Sequence, residues 1–387
     1  MQYILVDIAD REHFYPFSLT RSLAECRVGI YTFKERWEAY LGEECGVYTA
    51  NHLQGLYEDS HFLQTDDSIF FINITCIPTK EVIAQIKLLQ DDEKLINTSG
   101  KWIASKSTKR TIQAVLLPEL KPIEFDNVSF VNNAVHLLNI HAQFIQADFD
   151  QIKKNRHSQP VDLSNKCIHP ERIFIEEGAT ILCSNLNATN GPIYIGKEAV
   201  IMEGSSIRGP FALGYKGVVK MNTCIYGAST VGPYCVAGGE IKQSILMGYS
   251  NKGHEGYLGD SIIGYWCNIG AGTSNSNIKN TASDVQLWDE FKQEWETVGQ
   301  KMGMLVGDYS RFAIHSSVNT GSYIGVSANI FGKGLLPKML ANFTWGIVPG
   351  YQYEKAMEDI DNWKKLKGFR ISDAEKQVLK RLHETAL

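Results

Sequence analysis

One stretch of this chain gathers residues suited to moving a proton beside a bound anion. It reads Glu240-Ile-Lys242, then Lys252-Gly-His254-Glu-Gly-Tyr257-Leu-Gly-Asp260, then Asn268-Ile-Gly-Ala271-Gly-Thr273 and Asn277. Imidazole ordinarily titrates near neutrality, so a histidine at 254 is the residue type to take a proton from an amine nucleophile. Lys242 offers a compact cation for a phosphate, and Asn268 and Asn277 offer donors and acceptors for sugar hydroxyls or an amide. A lone loop histidine is ordinarily solvated, and asparagines on stacked strands often form ladders. The composite is what points to chemistry.

Residues so far apart in sequence need a scaffold that returns the chain to one place. Ile195, Ile201, Ile207, Leu213, Val219, Ile225 and Val231 are aliphatic at every sixth position, and the phase resumes at Ile245, Asn251, Tyr257, Ile263 and Ile269 and again at Val306, Phe312, Val318, Ile324 and Ile330. Neither an α-helix nor an ordinary strand asks for that period. A hexapeptide β-helix does, because each sixth side chain comes back to the same interior position. Glycine follows several of these positions, as at Gly196, Gly232 and Gly270, which suits corners needing unusual dihedrals or close backbone approach. On coils of about eighteen residues, Lys242, Asp260 and Ile278 fall in one column neighbourhood, with His254 and Asn268 on adjacent coils.

The 387 residues exceed one typical core, which predicts two domains and a tail. Short apolar runs at 3–7, 47–50 and 69–74 alternate with polar stretches of helical character at 33–41 and 80–89, the pattern of an α/β domain over 1–132. Helical spacing of Val135, Leu138, Ala142, Ile145 and Phe149 predicts a linking helix within 133–160. The β-helix is expected over 161–334, with a polar loop containing Trp288 and Trp295 thrown out near 278–305, and a helical tail over 335–387. A net charge of −5 and a pI near 6.1 argue against a nucleic-acid surface. The eight cysteines contain no C-x-x-C pair or zinc spacing, and the N-terminus lacks a signal-peptide pattern. The expectation is a reduced, cytoplasmic protein without metal cluster or membrane span, its cysteines serving as small buried hydrophobes.

The block from Glu240 to Asn277 resembles the acetyltransferase half of the bifunctional bacterial enzymes that N-acetylate glucosamine-1-phosphate and uridylylate the product. E-x-K, H-x-x-Y-L-G-D, N-I-G-A-G-T and the following Asn align without gaps. The resemblance implies that His254 is the base deprotonating the amine, that Lys242, Tyr257, Asn268 and Glu240 hold the sugar phosphate, and that Asn277 and Ala271 lie where substrate meets acetyl-CoA. It also implies a homotrimer whose neighbouring coils complete each acetyl-CoA site. The family's Arg-rich turn stands here as Gly209-Pro-Phe-Ala-Leu-Gly-Tyr-Lys216-Gly, leaving Lys216 as its nearest cation, and the family's Asn-Tyr pair is Asn277-Ile278.

In the N-terminal half no Gly-rich phosphate loop occurs. The string from Pro16 to Trp37, with Thr20-Arg21-Ser22 and Arg27-Val-Gly29-Ile-Tyr-Thr, resembles a divergent branch of sugar-nucleotide pyrophosphorylases. That resemblance implies Arg21 and Arg27 as phosphate ligands, although pairing of the arginines with Glu25 is the alternative, and it places Asn73 where the family has its Mg²⁺-binding Asp. The implied whole is an α/β nucleotidyltransferase-like domain joined to a left-handed parallel β-helix, using a sugar 1-phosphate, acetyl-CoA, UTP or dTTP, and Mg²⁺. Two other readings remain: a nucleotidyltransferase for another sugar, such as a thymidylyltransferase with the β-helix as scaffold, and a silent trimeric scaffold.

Overall fold

The computed structural model describes residues 2–57, 68–108 and 120–385. Two compact units emerge, one comprising 1–14, 21–26 and 31–133, the other 15–20, 27–30 and 134–387. Two short pieces of the N-terminal string thus pack with the second unit.

The first unit is built on a six-stranded sheet. β1 (Gln2–Val6) lies between parallel neighbours β2 (Cys45–Tyr48) and β3 (Ile69–Asn73), and β5 (Trp102–Ser107) joins β3 antiparallel, followed by β4 (Glu93–Ile96) and β6 (Lys121–Glu124). Ile4, Val6, Ile69 and Phe71 form its apolar cluster. The helix Phe33–Leu41 begins at a capping box, Thr32 with Glu35, and ends at Gly42 with φ of 76°. Both devices satisfy helix ends locally. The sequence pattern anticipated β1 to β3 and missed β4 to β6, of which β4 and β6 are short and half charged.

The second unit begins with the helix Ala134–Asn155 and continues as a solenoid of three walls. The first wall carries six strands, from Lys166–Ile168 through Asn185–Asn187, Ser206–Arg208, Cys224–Tyr226 and Glu240–Lys242 to Tyr257–Gly259. The second has nine strands and the third ten; parallel coiling continues through Met339–Leu340 and Thr344–Trp345, beyond the expected end at 334, before Val348–Pro349 folds back antiparallel. All seven members of the first aliphatic series, Ile195 to Val231, sit in the interior stack.

Beyond Val231 the phase slips. Ile193 pairs with Phe211, but Thr230 pairs with Ile245 and Val236 with Asn251, so these coils are shorter than the eighteen-residue repeat. The side chains facing inward are therefore Leu246, Lys252 and Leu258, not Ile245, Asn251 and Tyr257. A one-residue slip turns a strand residue to the other face. Glycine at the corners serves close approach: a Cβ on Gly232 would lie 2.1 Å from the Met247 carbonyl oxygen. Left-handed dihedrals fall at other corner positions, on glycines such as Gly204 and Gly239 and also on Glu198, Lys216, Tyr234, Tyr249 and Trp266.

The segment after Asn277 forms an antiparallel hairpin, Gln286–Asp289 with Glu294–Thr297, in which Trp288 faces Trp295. Helices Tyr353–Lys365 and Asp373–Thr385 close the chain. None of the eight cysteines is in a disulfide, and Cys183 and Cys224 are exposed, contrary to the expectation of burial. Among the described residues no helix is long and apolar enough to cross a membrane.

Candidate functional site

Alternation on the first wall turns the first and third residue of each strand outward, placing Glu240 and Lys242 beside Tyr257, since Glu240 pairs with Tyr257 and Lys242 with Gly259. Lys242 Nζ lies 4.0 Å from the Asp260 carboxylate. The Asn277 amide donates to the same carboxylate oxygen, Asp260 Oδ2, and also bonds the Tyr257 hydroxyl. The column partner of Asp260 on the next coil is thus Asn277; Ile278 is exposed beyond it. Burial, reinforced by the Asp260, Tyr226 and Glu240 charges, pushes the Tyr257 hydroxyl above its usual range, keeping it a neutral donor.

Sequence reasoning missed Tyr226, which stands between Arg208 and Lys242 in the outward column. Its hydroxyl donates to Glu240 Oε1 at 2.6 Å, and that bond pushes its pKa up to about 12. The short coil hid it, because Tyr226 sits under Lys242 at a spacing of sixteen. Below Tyr226 the wall opens into a groove of about 760 Å³ lined by Lys166, Asn185, Asn187, Ser206 and Arg208. Arg208 is exposed and has no ion pair among the described residues.

His254 occupies the corner between the third and first walls, three residues before Tyr257, with its side chain exposed and its ring without a hydrogen bond among the described residues. Asn251 pairs with Asn268, and the same seventeen-residue offset sets Ala271 over His254 on that corner. Asn268 itself is on the third wall, where its Oδ1 lies 3.5 Å from the Asn251 amide. In one chain, therefore, Asn268 and Lys242 face different sides of the His254 corner.

Lys216 is not with Lys242. It sits at the corner between the second and third walls, where its ammonium is 3.5 Å from Glu198 and 5.1 Å from the Tyr215 ring centroid. Within one chain Lys216 therefore stands away from Lys242, and the cations that share a wall with Lys242 are Arg208 and, farther down, Lys166.

In the N-terminal string, Arg21 Nη1 lies 2.5 Å from Glu25 Oε2, the alternative raised by the sequence. Arg27 donates to the Ile30 carbonyl and is 6% exposed. Its neighbours are tied down as well, the Gly29 carbonyl accepting from Thr230 Oγ1 at 2.8 Å and the Ile30 amide donating to Asp148 at 2.9 Å. Asn73 Oδ1 accepts from the backbone and hydroxyl of Thr75, while its Nδ2 donates to the Trp102 carbonyl. A neutral amide used at both ends does not fit a Mg²⁺ ligand. Among the described residues no group of three or more His, Cys, Asp or Glu stands together to hold a metal.

The fold is a nucleotidyltransferase-like α/β domain followed by a left-handed parallel β-helix. Residues 3–157 match the family described as sugar nucleotidyl transferase. The chain is 34% identical over 97 residues to the bifunctional protein GlmU of Methanococcus aeolicus, covering 25% of this chain and 23% of that protein. Over 92 residues it is 32% identical to a bifunctional sugar-1-phosphate nucleotidylyltransferase/acetyltransferase of Sulfurisphaera tokodaii, covering 24% of this chain and 23% of the relative. The crystal structure of the polySia specific acetyltransferase NeuO aligns over 52% of this chain and 96% of its own at 12% identity, with a TM-score of 0.22, too low to weigh. The matches to the two bifunctional relatives span under a quarter of their length.

Proposed function

We propose that the protein is a two-part transferase of hexosamine activation, acetylating glucosamine-1-phosphate from acetyl-CoA at the β-helix and transferring a uridylyl group from UTP in the N-terminal domain to give UDP-N-acetylglucosamine. The observation that carries it is the linked set Glu240, Lys242, Tyr257, Asp260 and Asn277 on one wall, with His254 at the adjoining corner. A scaffold needs only the interior stack and has no use for that set.

In this reading His254 removes a proton from the sugar ammonium or amine, whose nitrogen attacks the thioester carbonyl of acetyl-CoA. The tetrahedral intermediate collapses to the amide and expels the CoA thiolate, which takes up a proton. Lys242 meets the phosphate of the acceptor, and Arg208 extends the same electropositive column. Ala271, stacked over His254, marks where the acetyl group enters. Because Asn268 faces away from Lys242, one copy supplies only part of the ligand shell, and a closed homotrimer brings the third wall of one chain against the first wall of another. Uridylyl transfer rests on the family match over 3–157. There a phosphate oxygen of the sugar attacks the α-phosphorus of UTP and pyrophosphate leaves.

Incubating the protein with glucosamine-1-phosphate, acetyl-CoA, UTP and Mg²⁺, omitting each in turn, tests both halves. Acetylation without UTP and pyrophosphate release dependent on N-acetylglucosamine-1-phosphate are the expected results. Absence of CoA release with every amino sugar phosphate offered would overturn the first half. Sedimentation showing only monomer at micromolar concentration would overturn the trimer.

A further inference from the structure

The interior of the β-helix is almost wholly apolar, yet beneath the His254 corner it takes in a lysine. Lys252 pairs with Ala237, a member of the interior stack, and is itself 1% exposed. Its ammonium has three donors, and all three are used on backbone carbonyls: Gly238 at 3.1 Å, Glu255 at 3.2 Å, and His254 at shorter range. Two of these carbonyls belong to the corner that presents the candidate base. The corner is also tight. A Cβ on Gly238 would lie 2.6 Å from the Gly253 carbonyl carbon, and Gly256, with φ of 110°, would bring one to 2.2 Å from the Thr273 oxygen.

Burying a lysine in an apolar stack is costly unless its donors are satisfied. An aliphatic residue would fill the rung without that cost, so the charge must be accounted for by what it holds. The His254 ring has no hydrogen-bond partner among the described residues, in contrast to bases oriented by a second side chain. Within the chain, only the path of the backbone at the corner sets where the ring projects.

We propose that Lys252 is a positioning residue, an internal ammonium clamp that draws the 253–256 corner inward and so fixes the direction of the His254 imidazole. The inference rests on the acetyl-transfer reading for what the aim achieves, and on geometry alone for the clamp. Burial pushes the Lys252 ammonium down to about 8, with the Glu255 carboxylate opposing that shift. As pH rises through this value the amine keeps two donors for three carbonyls, and the corner loosens. The sign for the whole fold is opposite. The unfolded chain holds this proton up to about its ordinary 10.5, so between the two values the unfolded state binds more protons and global stability from this group rises with pH. Local loosening without global loss is the signature.

Lys252→Met keeps length and apolarity and removes the charge. The amides that tie this corner to its neighbours are Glu240 N, bonded to the Gly256 carbonyl, and Tyr257 N, bonded to Ser274 Oγ; we expect their protection against hydrogen exchange to fall while the rest of the β-helix keeps its protection. We also expect kcat for acetyl transfer to drop by about a hundredfold, the scale for a slight misplacement of a reacting group, with KM for the sugar phosphate unchanged. In the unsubstituted protein, corner protection should fall between pH 7 and 9 while the melting temperature holds, and the alkaline fall in kcat should vanish in Lys252→Met. Unchanged corner protection in both experiments overturns the clamp, and loosened amides with undiminished kcat overturn its role in positioning. If the variant does not fold, the pH series on the unsubstituted protein decides. If the unsubstituted protein transfers no acetyl group, the acetyl-transfer reading fails and the exchange data still decide the clamp.

Discussion

On the first wall of the β-helix, Lys242, Asp260, Asn277 and Tyr257 bond one another at the surface, whereas in the string from Pro16 to Trp37 the arginines turn inward, Arg21 to Glu25 and Arg27 to the Ile30 carbonyl. The two stretches contain similar residue types. What separates them is unused bonding capacity: the Lys242 to Asp260 contact is loose at 4.0 Å, and the His254 ring is open to solvent, so a ligand adds bonds without breaking any. A phosphate at Arg27 would first have to displace a buried backbone acceptor. A guanidinium in sequence is thus a weak sign of a phosphate site until its partners are known.

The strongest way to break the contrast is at His254. Losing a general base costs about a hundredfold to ten-thousandfold in rate, so His254→Ala should lose most acetylation. Because the side chain is exposed, the melting curve should be unchanged. Turnover like the unsubstituted protein would show that the open corner is only open.

Arg27→Ala probes the other side. Removing a buried donor and leaving its acceptor unmet costs about 1–3 kcal/mol, so this variant should unfold at lower denaturant, with pyrophosphate release falling only as the folded fraction falls. A large rate loss at full stability would instead make Arg27 a phosphate ligand that swings outward when nucleotide binds.

A finer test sets the two lysines against each other. Lys242→Ala should raise KM for the sugar phosphate by about tenfold, the scale of one charge-assisted bond. Lys216→Ala should leave it alone, since that ammonium sits with Glu198 on another corner. Equal effects would mean that the two corners meet in the assembled protein.

These residues also show how far sequence reaches. The interior stack from Ile195 to Val231 was legible because its repeat is strict and each position demands the same thing, a side chain for a dry interior. The adjacency of Glu240, Lys242, Tyr257 and Asp260 was legible through the motif. The shortened coils were not, because a deletion of two or three residues at a corner leaves no mark except a phase slip, and that slip hid Tyr226 and turned Lys252 inward. The place of Lys216 was misjudged for the same reason: counting along the chain gives distance in residues, while the corner it occupies depends on where each coil turns. Asn73 looked like a displaced metal ligand because strand ends favour ligands, but its amide closes the turn to Thr75.

The smallest effect is expected at Tyr226, and it tests whether the wall is held as described. Its hydroxyl donates to Glu240 at 2.6 Å, and that bond is the main cause of a pKa pushed up to about 12. The protonated phenol is favoured in the folded state, so the contribution is complete below the ordinary value of 10.0 and is lost as pH rises toward 12. Tyr226 is 36% exposed, so water competes for the bond, and Tyr226→Phe should change acetylation by no more than about twofold, as for exposed polar pairs. The sharper readout is spectroscopic: the ultraviolet titration of the unsubstituted protein minus that of Tyr226→Phe should show one phenol ionising near 12. A difference centred at the ordinary value would mean that the hydroxyl faces water. Glu240 would then be left without that donor, and the contrast between a wall of linked groups and a string of inward cations would narrow to Lys242, Asp260 and Asn277.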